Sequence, residues 1–167
     1  MSDIMISEIL HRSAEVKNKM ISVCAGPAEQ AAQMIATSMQ EGGKLMLCGN
    51  GGSAGDSQHL AAEFVATLDH TKPRPSLPAL SLTTDTSFLT AYANDFGFEG
   101  VFARQVEALG QPGDVLLGIS TSVNSKNVLA AAKAARDNLI SVIAFTGETG
   151  DRWQILLICL LSFPAEL

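Results

Sequence analysis

At 167 residues the chain has the length of one domain with room for a substantial core. A net charge of −6 and a pI near 4.9 exclude the basic footprint of a nucleic-acid or anionic-membrane binder, so any bound phosphate must be held by loop amides and hydroxyls. Apolar content of 47% against 17% charged residues, with a mean hydropathy of +0.22, predicts a homo-oligomer whose subunits cover one another's surface.

Residues 3 to 23 place Ile6, Ile9, Leu10, Ala14, Met20 and Val23 at approximate helical spacing, an amphipathic helix. Gly26-Pro27 punctuates, and Ala31, Ala32, Met34, Ile35 and Met39 line a second helix ending at Gly42-Gly43. The apolar run Leu45 to Cys48 is a strand that stops at Gly49. A Gly-rich turn follows, and Ser53 or Asp56 is expected to cap a helix carrying His59 and Glu63. Thr71 to Pro78 is an extended, proline-rich connector, and Ala79 to Leu82 a short strand.

Thr84-Asp85-Thr86 caps a helix through Ala93, with Asn94-Asp95-Phe96-Gly97 as the turn at its end. Gly100 to Leu109 is another helix. Asp114 to Ile119 is a continuous apolar run, the pattern of a parallel strand buried on both faces. Ser120 to Ser125 opens a helix to about Arg136, Ile140 to Phe145 is a strand, and Thr146 to Gly150 a turn. The last strand is read over Ile155 to Phe163. Strands alternating with helices predict a three-layer αβα sandwich with a mostly parallel sheet: residues 1–43 as N-terminal helices, 44–167 as the α/β core. The longest apolar run, Ile155 to Leu161, falls far below the roughly 20 residues a membrane span needs. No basic stretch followed by an apolar core opens the chain, so no secretion signal is read. Cys24, Cys48 and Cys159 lack a CxxC arrangement and read as reduced, mostly buried thiols, which suits a cytoplasm.

Two turns carry the chemistry. In the first, Gly49, Gly51 and Gly52 let backbone approach a ligand closely, and the amides of the following helix start point at an anion. In the second, Ser120, Thr121, Ser122 and Ser125 stand where a buried strand hands over to a helix. In a parallel sheet both turns fall at the same carboxyl edge, where ligands of open α/β sheets bind. His59 and Glu63, spaced i, i+4, project from one helix face within reach of a common atom, as a base or a metal pair. A histidine on an apolar helix face is by default a core residue, and the Glu63 spacing argues against that default here. His11 and His70 have no partner in sequence and read as surface residues.

Gly49-Asn-Gly-Gly-Ser53, His59 with Glu63, Asn94-Asp95-Phe96-Gly97 and Gly113 to Ser122 together resemble the sugar isomerase (SIS) family and, within it, the bacterial phosphoheptose isomerases, over roughly residues 5 to 150. The resemblance implies a homotetramer that converts sedoheptulose 7-phosphate to D-glycero-D-manno-heptose 7-phosphate, toward the heptose of lipopolysaccharide. By the same resemblance Gly51, Gly52, Ser53, Ser120, Thr121, Ser122 and Ser125 hold the phosphate and Asn50 contacts substrate. Glu63 is the catalytic glutamate, Asp95 an active-site aspartate, and His59 with Glu63 two zinc ligands. Val123 stands where the family has glycine; at a positive φ a β-branched residue there would strain the second turn. Thr67 replaces an arginine of some members.

Family members continue into a helix that supplies a glutamine and a histidine; this sequence stops at Leu167, so the expected zinc site is half supplied and the chain's own activity is in question. A competing reading is a non-catalytic SIS protein that binds phosphosugars or a partner such as a replication initiator. A third takes Gly49-x-Gly51-x-x-Ala54 as a dinucleotide fingerprint, but Asp69 falls at a helix end, not at the tip of a second strand.

Overall fold

A computed structural model describes residues 2–122, 124–147 and 156–160, with backbone alone at 2–4, 147 and 156–160. Its elements run α1 (Ser2–Gln40), β1 (Leu45–Gly49), α2 (Gly52–Val65), β2 (Ala79–Ser81), α3 (Thr86–Phe96), α4 (Ala103–Leu109), β3 (Val115–Ser120), α5 (Lys126–Asp137), β4 (Ser141–Gly147) and β5 (Leu156–Leu160), with a short 3-10 turn at Phe98–Gly100.

The sheet order is β2-β1-β3-β4-β5. β1 pairs parallel with β2 and β3, β3 parallel with β4, and β5 antiparallel with β4. Alternation along each strand builds two cores. Leu45 and Leu47 of β1 join Val115, Leu117 and Ile119 of β3 against Ala31 of α1 and Ala61 of α2. Met46, Cys48 and Leu116 face the other way, against Val106 of α4 and Val128 and Ala131 of α5, with Leu89 of α3 at the margin. Helices therefore cover both faces, giving the expected αβα sandwich around a mostly parallel sheet. Because β2 and β3 flank β1 on opposite sides, the chain reverses its direction of travel across the sheet there, and the crevice outside the carboxyl ends of β1 and β3 is a switch point.

Several local expectations are corrected. The N-terminal segment is one 39-residue helix that runs through Pro27, not two helices broken at Gly26-Pro27. Gly26 does not take a positive φ, so the chain does not turn there. A proline forfeits one hydrogen bond and crowds one carbonyl, and the apolar periodicity on both sides outweighs that local cost. Asn94, Asp95 and Phe96 form the last turn of α3, and the chain leaves the helix at Gly97, whose φ is +93°. Asp85 caps α3 as expected, accepting from the Phe88 N–H at 2.9 Å. The helix read from Gly100 divides into the 3-10 turn and α4. Thr146 and Gly147 belong to β4 instead of a turn, while the remainder of that turn and the Leu161–Phe163 end of the last strand lie outside the described residues. Among the described residues no helix is long and apolar enough to cross a membrane.

Candidate functional site

The first turn is shaped by two glycines. A Cβ on Gly49 would lie 2.8 Å from the Ser53 carbonyl oxygen, so only glycine lets β1 run so close beneath the start of α2. Gly51, at φ +56°, then swings the chain into the helix, with Ser53 N–H bonded to the Asn50 carbonyl and Ala54 N–H to that of Gly51, each at 3.0 Å. Ser53 and Asp56 were expected as caps; both instead lie inside α2, whose cap position is Gly51, and no side chain bonds the first-turn amides. The Ser53 and Ala54 amides are thus bonded within the turn, and a helix start without a side-chain cap still turns its positive dipole end toward an anion.

The second turn begins at the buried Ser120, whose Oγ donates to Ser125 Oγ at 3.0 Å. Ser122 Oγ accepts from the Asn124 N–H at 3.3 Å, and both Thr121 and Ser122 are exposed. Ser125 stands at the cap position of α5 without a side-chain cap bond. Val123, and any strain there, lies outside the described residues. Register brings the turns side by side: Gly49 of β1 lies opposite Ile119 of β3, so Asn50 and Ser120 leave neighbouring strand ends. A direct bridge joins them. Asn50 Nδ2 donates to Asn127 Oδ1 and Asn127 Nδ2 donates to Asn50 Oδ1, both at 2.8 Å.

Glu63 sits near the far end of α2, ten residues beyond Ser53, or about 15 Å along a helix axis. Its side chain leans back toward the helix start, which shortens that gap. Arg74 reaches from the connector to hold this end, donating through Nη1 to the Phe64 carbonyl at 2.9 Å and through Nη2 to the Glu63 carbonyl. Of the Glu63 carboxylate oxygens, Oε1 lies 3.6 Å from His59 Nε2, and Oε2 is buried without a hydrogen-bond partner among the described residues. A buried, unsatisfied carboxylate oxygen is costly to the fold and free to act on a substrate proton or a cation. His59 is 75% exposed, so it is no core histidine.

Two ligands on one tetrahedral zinc lie about 3.4 Å apart, and the His59–Glu63 separation of 3.6 Å fits that spacing. Among the described residues no group of three or more His, Cys, Asp or Glu side chains gathers around a common point. Asp95 is exposed on the last turn of α3, where its Oδ1 accepts from Asn94 Nδ2 at 2.8 Å; no hydrogen bond or ion pair links it to either turn or to Glu63 within the described residues of one chain. His11 and His70 are exposed, as expected. Thr67 donates to the Asp69 carbonyl at 3.2 Å. Cys48, one residue short of the first turn, is fully buried, and burial pushes its thiol up to about 12, so it stays neutral and is no nucleophile at physiological pH. Sequence reasoning missed Asn127 and Arg74. Asn127 had a signal: it lies on the same helical stripe as Ala131, Ala134 and Ala135, a polar residue on an apolar face.

The SIS domain profile matches residues 9–147. The chain is 51% identical to the phosphoheptose isomerase of Roseiflexus sp. over 87% of its own length and 73% of that protein, and 50% identical to the phosphoheptose isomerase of Aquifex aeolicus over 88% and 76%. Among solved structures, phosphoheptose isomerase from Neisseria gonorrhoeae superposes with a TM-score of 0.83 at 43% identity, covering 91% of this chain and 78% of that one.

Proposed function

Since the chain belongs to the SIS domain family and, within it, to the phosphoheptose isomerases, we propose that it converts sedoheptulose 7-phosphate to D-glycero-D-manno-heptose 7-phosphate. The observation that carries this reading is the pairing of two amide- and hydroxyl-lined turns at the β1/β3 edge with a half-buried carboxylate farther along α2, one of whose oxygens is buried without a partner among the described residues.

In this reading the phosphate rests on Gly51, Gly52 and Ser53 of the first turn and on Ser120, Thr121, Ser122 and Ser125 of the second, with Asn50 contacting substrate. A sugar 7-phosphate carries its phosphate at the opposite end from the reacting carbons, so a base remote from the phosphate turns is what the reaction requires. Glu63 is that base. Its carboxylate takes a proton from C1 of the ketose, giving an enediol, and a proton returned to C2 completes the aldose; the O1 hydroxyl proton is lost as O2 gains one, so the atoms balance without a co-reactant. Asp95 is the second carboxylate of the site, near the sugar.

The donor pair His59 Nε2 and Glu63 Oε1 would supply two of zinc's ligands. Bound zinc would polarise the substrate oxygens. The exposed Ile6, Ile9, Leu10 and Ile21 of α1 support assembly into a homotetramer, and a cytoplasmic enzyme feeding heptose to lipopolysaccharide is the setting the family resemblance implies. The test is turnover of sedoheptulose 7-phosphate in a coupled assay with Glu63→Gln as control. Turnover that needs Glu63 supports the reading; absence of turnover at high protein concentration, or turnover indifferent to Glu63→Gln, contradicts it.

A further inference from the structure

Asn127 lies in the first turn of α5, yet only 4% of it is exposed. Polar side chains at a helix start ordinarily bond their own first-turn amides or water. This one accepts from the Val128 N–H of its own first turn and also spends both ends of its amide across the crevice. Its Oδ1 accepts from Asn50 Nδ2 at 2.8 Å and from the Val128 N–H at 3.0 Å, while its Nδ2 donates to Asn50 Oδ1 at 2.8 Å. A backbone N–H can only donate, so the Val128 amide decides which end of the Asn127 side chain is oxygen. The reciprocal pair then decides the orientation of the Asn50 amide as well.

We propose that Asn127 is a positioning residue, whose amide locks Asn50 and the β1–α2 turn onto the start of α5 so that both turns address one phosphate. The proposal rests on the sugar-phosphate reading above and deepens it. Neighbouring strands fix the turns only as far as Gly49 and Ile119; beyond those residues the backbones diverge into separate helices. The amide pair restores a rigid link at the point where the strand pairing stops. Preorganised groups bind an anion without first giving up conformational freedom, so loosening this link should weaken phosphate binding. Asn50 keeps one N–H and one lone pair beyond the pair, enough to contact a ligand while locked.

The experiment is a titration with inorganic phosphate followed by phosphorus NMR line broadening, on the parent chain, Asn127→Ala, Asn127→Asp, Asn50→Ala and the Asn50→Ala/Asn127→Ala double variant, each checked for folding by its thermal transition. Loss of two buried hydrogen bonds should raise the phosphate Kd of Asn127→Ala about tenfold. Asn127→Asp keeps the acceptor for Val128 but cannot donate to Asn50 and adds a negative charge, so its Kd should rise at least as much; it serves also if the alanine variant fails to fold. In the Asn50→Ala background, Asn127→Ala should change Kd by less than about twofold, because the partner through which it acts is gone. A merely structural asparagine would weaken binding equally in both backgrounds, and that result overturns the proposal, as does a Kd within twofold of the parent in both single variants. If the parent itself binds phosphate no better than its Ser122→Ala variant, the phosphate-turn reading falls, and the positioning role falls with it.

Discussion

The two ends of the same pair of strands treat polar groups in opposite ways. At the amino edge, Asp114 is 2% exposed and its carboxylate is fully engaged: Oδ1 accepts from the Lys44 N–H at 2.9 Å, and Oδ2 from the Gln111 N–H at 2.8 Å and from Lys44 Nζ at 2.5 Å. Ser38 Oγ closes the same corner, donating to the Gly113 carbonyl at 2.6 Å. At the carboxyl edge, Thr121 and Ser122 face solvent and the first turn of α2 has no side-chain cap among the described residues. Polar groups that hold β1 to β3 at the amino edge are satisfied from within the chain; at the carboxyl edge the Asn50–Asn127 pair is satisfied too, while Thr121 and Ser122 present exposed hydroxyls to a ligand. A network complete in itself stabilises, whereas an incomplete one on a rigid frame is ready to bind.

Substitutions at the proposed site and at the amino edge should therefore separate activity from stability. Glu63→Gln removes the proposed base without emptying its site, so turnover should fall by roughly a thousandfold with the melting temperature held or raised, since a buried unpaired carboxylate oxygen is lost. An equal fall in stability would make Glu63 a structural residue instead. Asp114→Ala should do the reverse. It leaves two backbone donors and an ammonium without their acceptor, which should cost about 3 kcal/mol in denaturant unfolding while the phosphate Kd of the folded fraction stays unchanged.

Cys48 lies between the edges and gives a pH test of how dry the strand is. Its folded thiol titrates near 12 against an ordinary 9.0, so the folded state holds its proton after the unfolded chain has released it. Stability should be intact below pH 9 and fall by roughly a kcal/mol per pH unit as pH rises toward 12. Urea unfolding of Cys48→Ala should show a shallower decline over that window, and iodoacetamide should leave the native parent thiol unmodified at neutral pH. The smallest expected effect is Ser122→Ala, which removes one exposed hydroxyl: KM should rise about fivefold with kcat and melting temperature unchanged.

Most of the sheet was legible because parallel strands buried on both faces read as apolar runs: Leu45 to Cys48, Asp114 to Ile119 and Ile140 to Phe145 each fell within a residue or two of the observed strands. Both turns of the candidate site followed from glycines and hydroxyls at strand ends, and their adjacency follows from the parallel register. The helix boundaries were less legible. Pro27 looked like a stop, but its cost is local while the periodicity of a long helix is collective. Ser53 and Asp56 carry good cap chemistry, yet Gly51, free to take a positive φ, starts the helix ahead of them. Long-range hydrogen bonds were beyond reach: no spacing rule joins Asn50 to Asn127, or Arg74 to the end of α2. Nor did the i, i+4 pairing of His59 with Glu63 reveal how far along α2 the pair stands from the phosphate turn.

The measurement closest to the central claim is a crystal structure with sedoheptulose 7-phosphate bound. The account predicts one phosphate bridging the two turns, its oxygens within hydrogen-bond distance of the Gly51–Ser53 backbone and of the Ser120 to Ser125 hydroxyls of the same chain. A phosphate held by only one of the turns, or bound away from the β1/β3 edge, would contradict it.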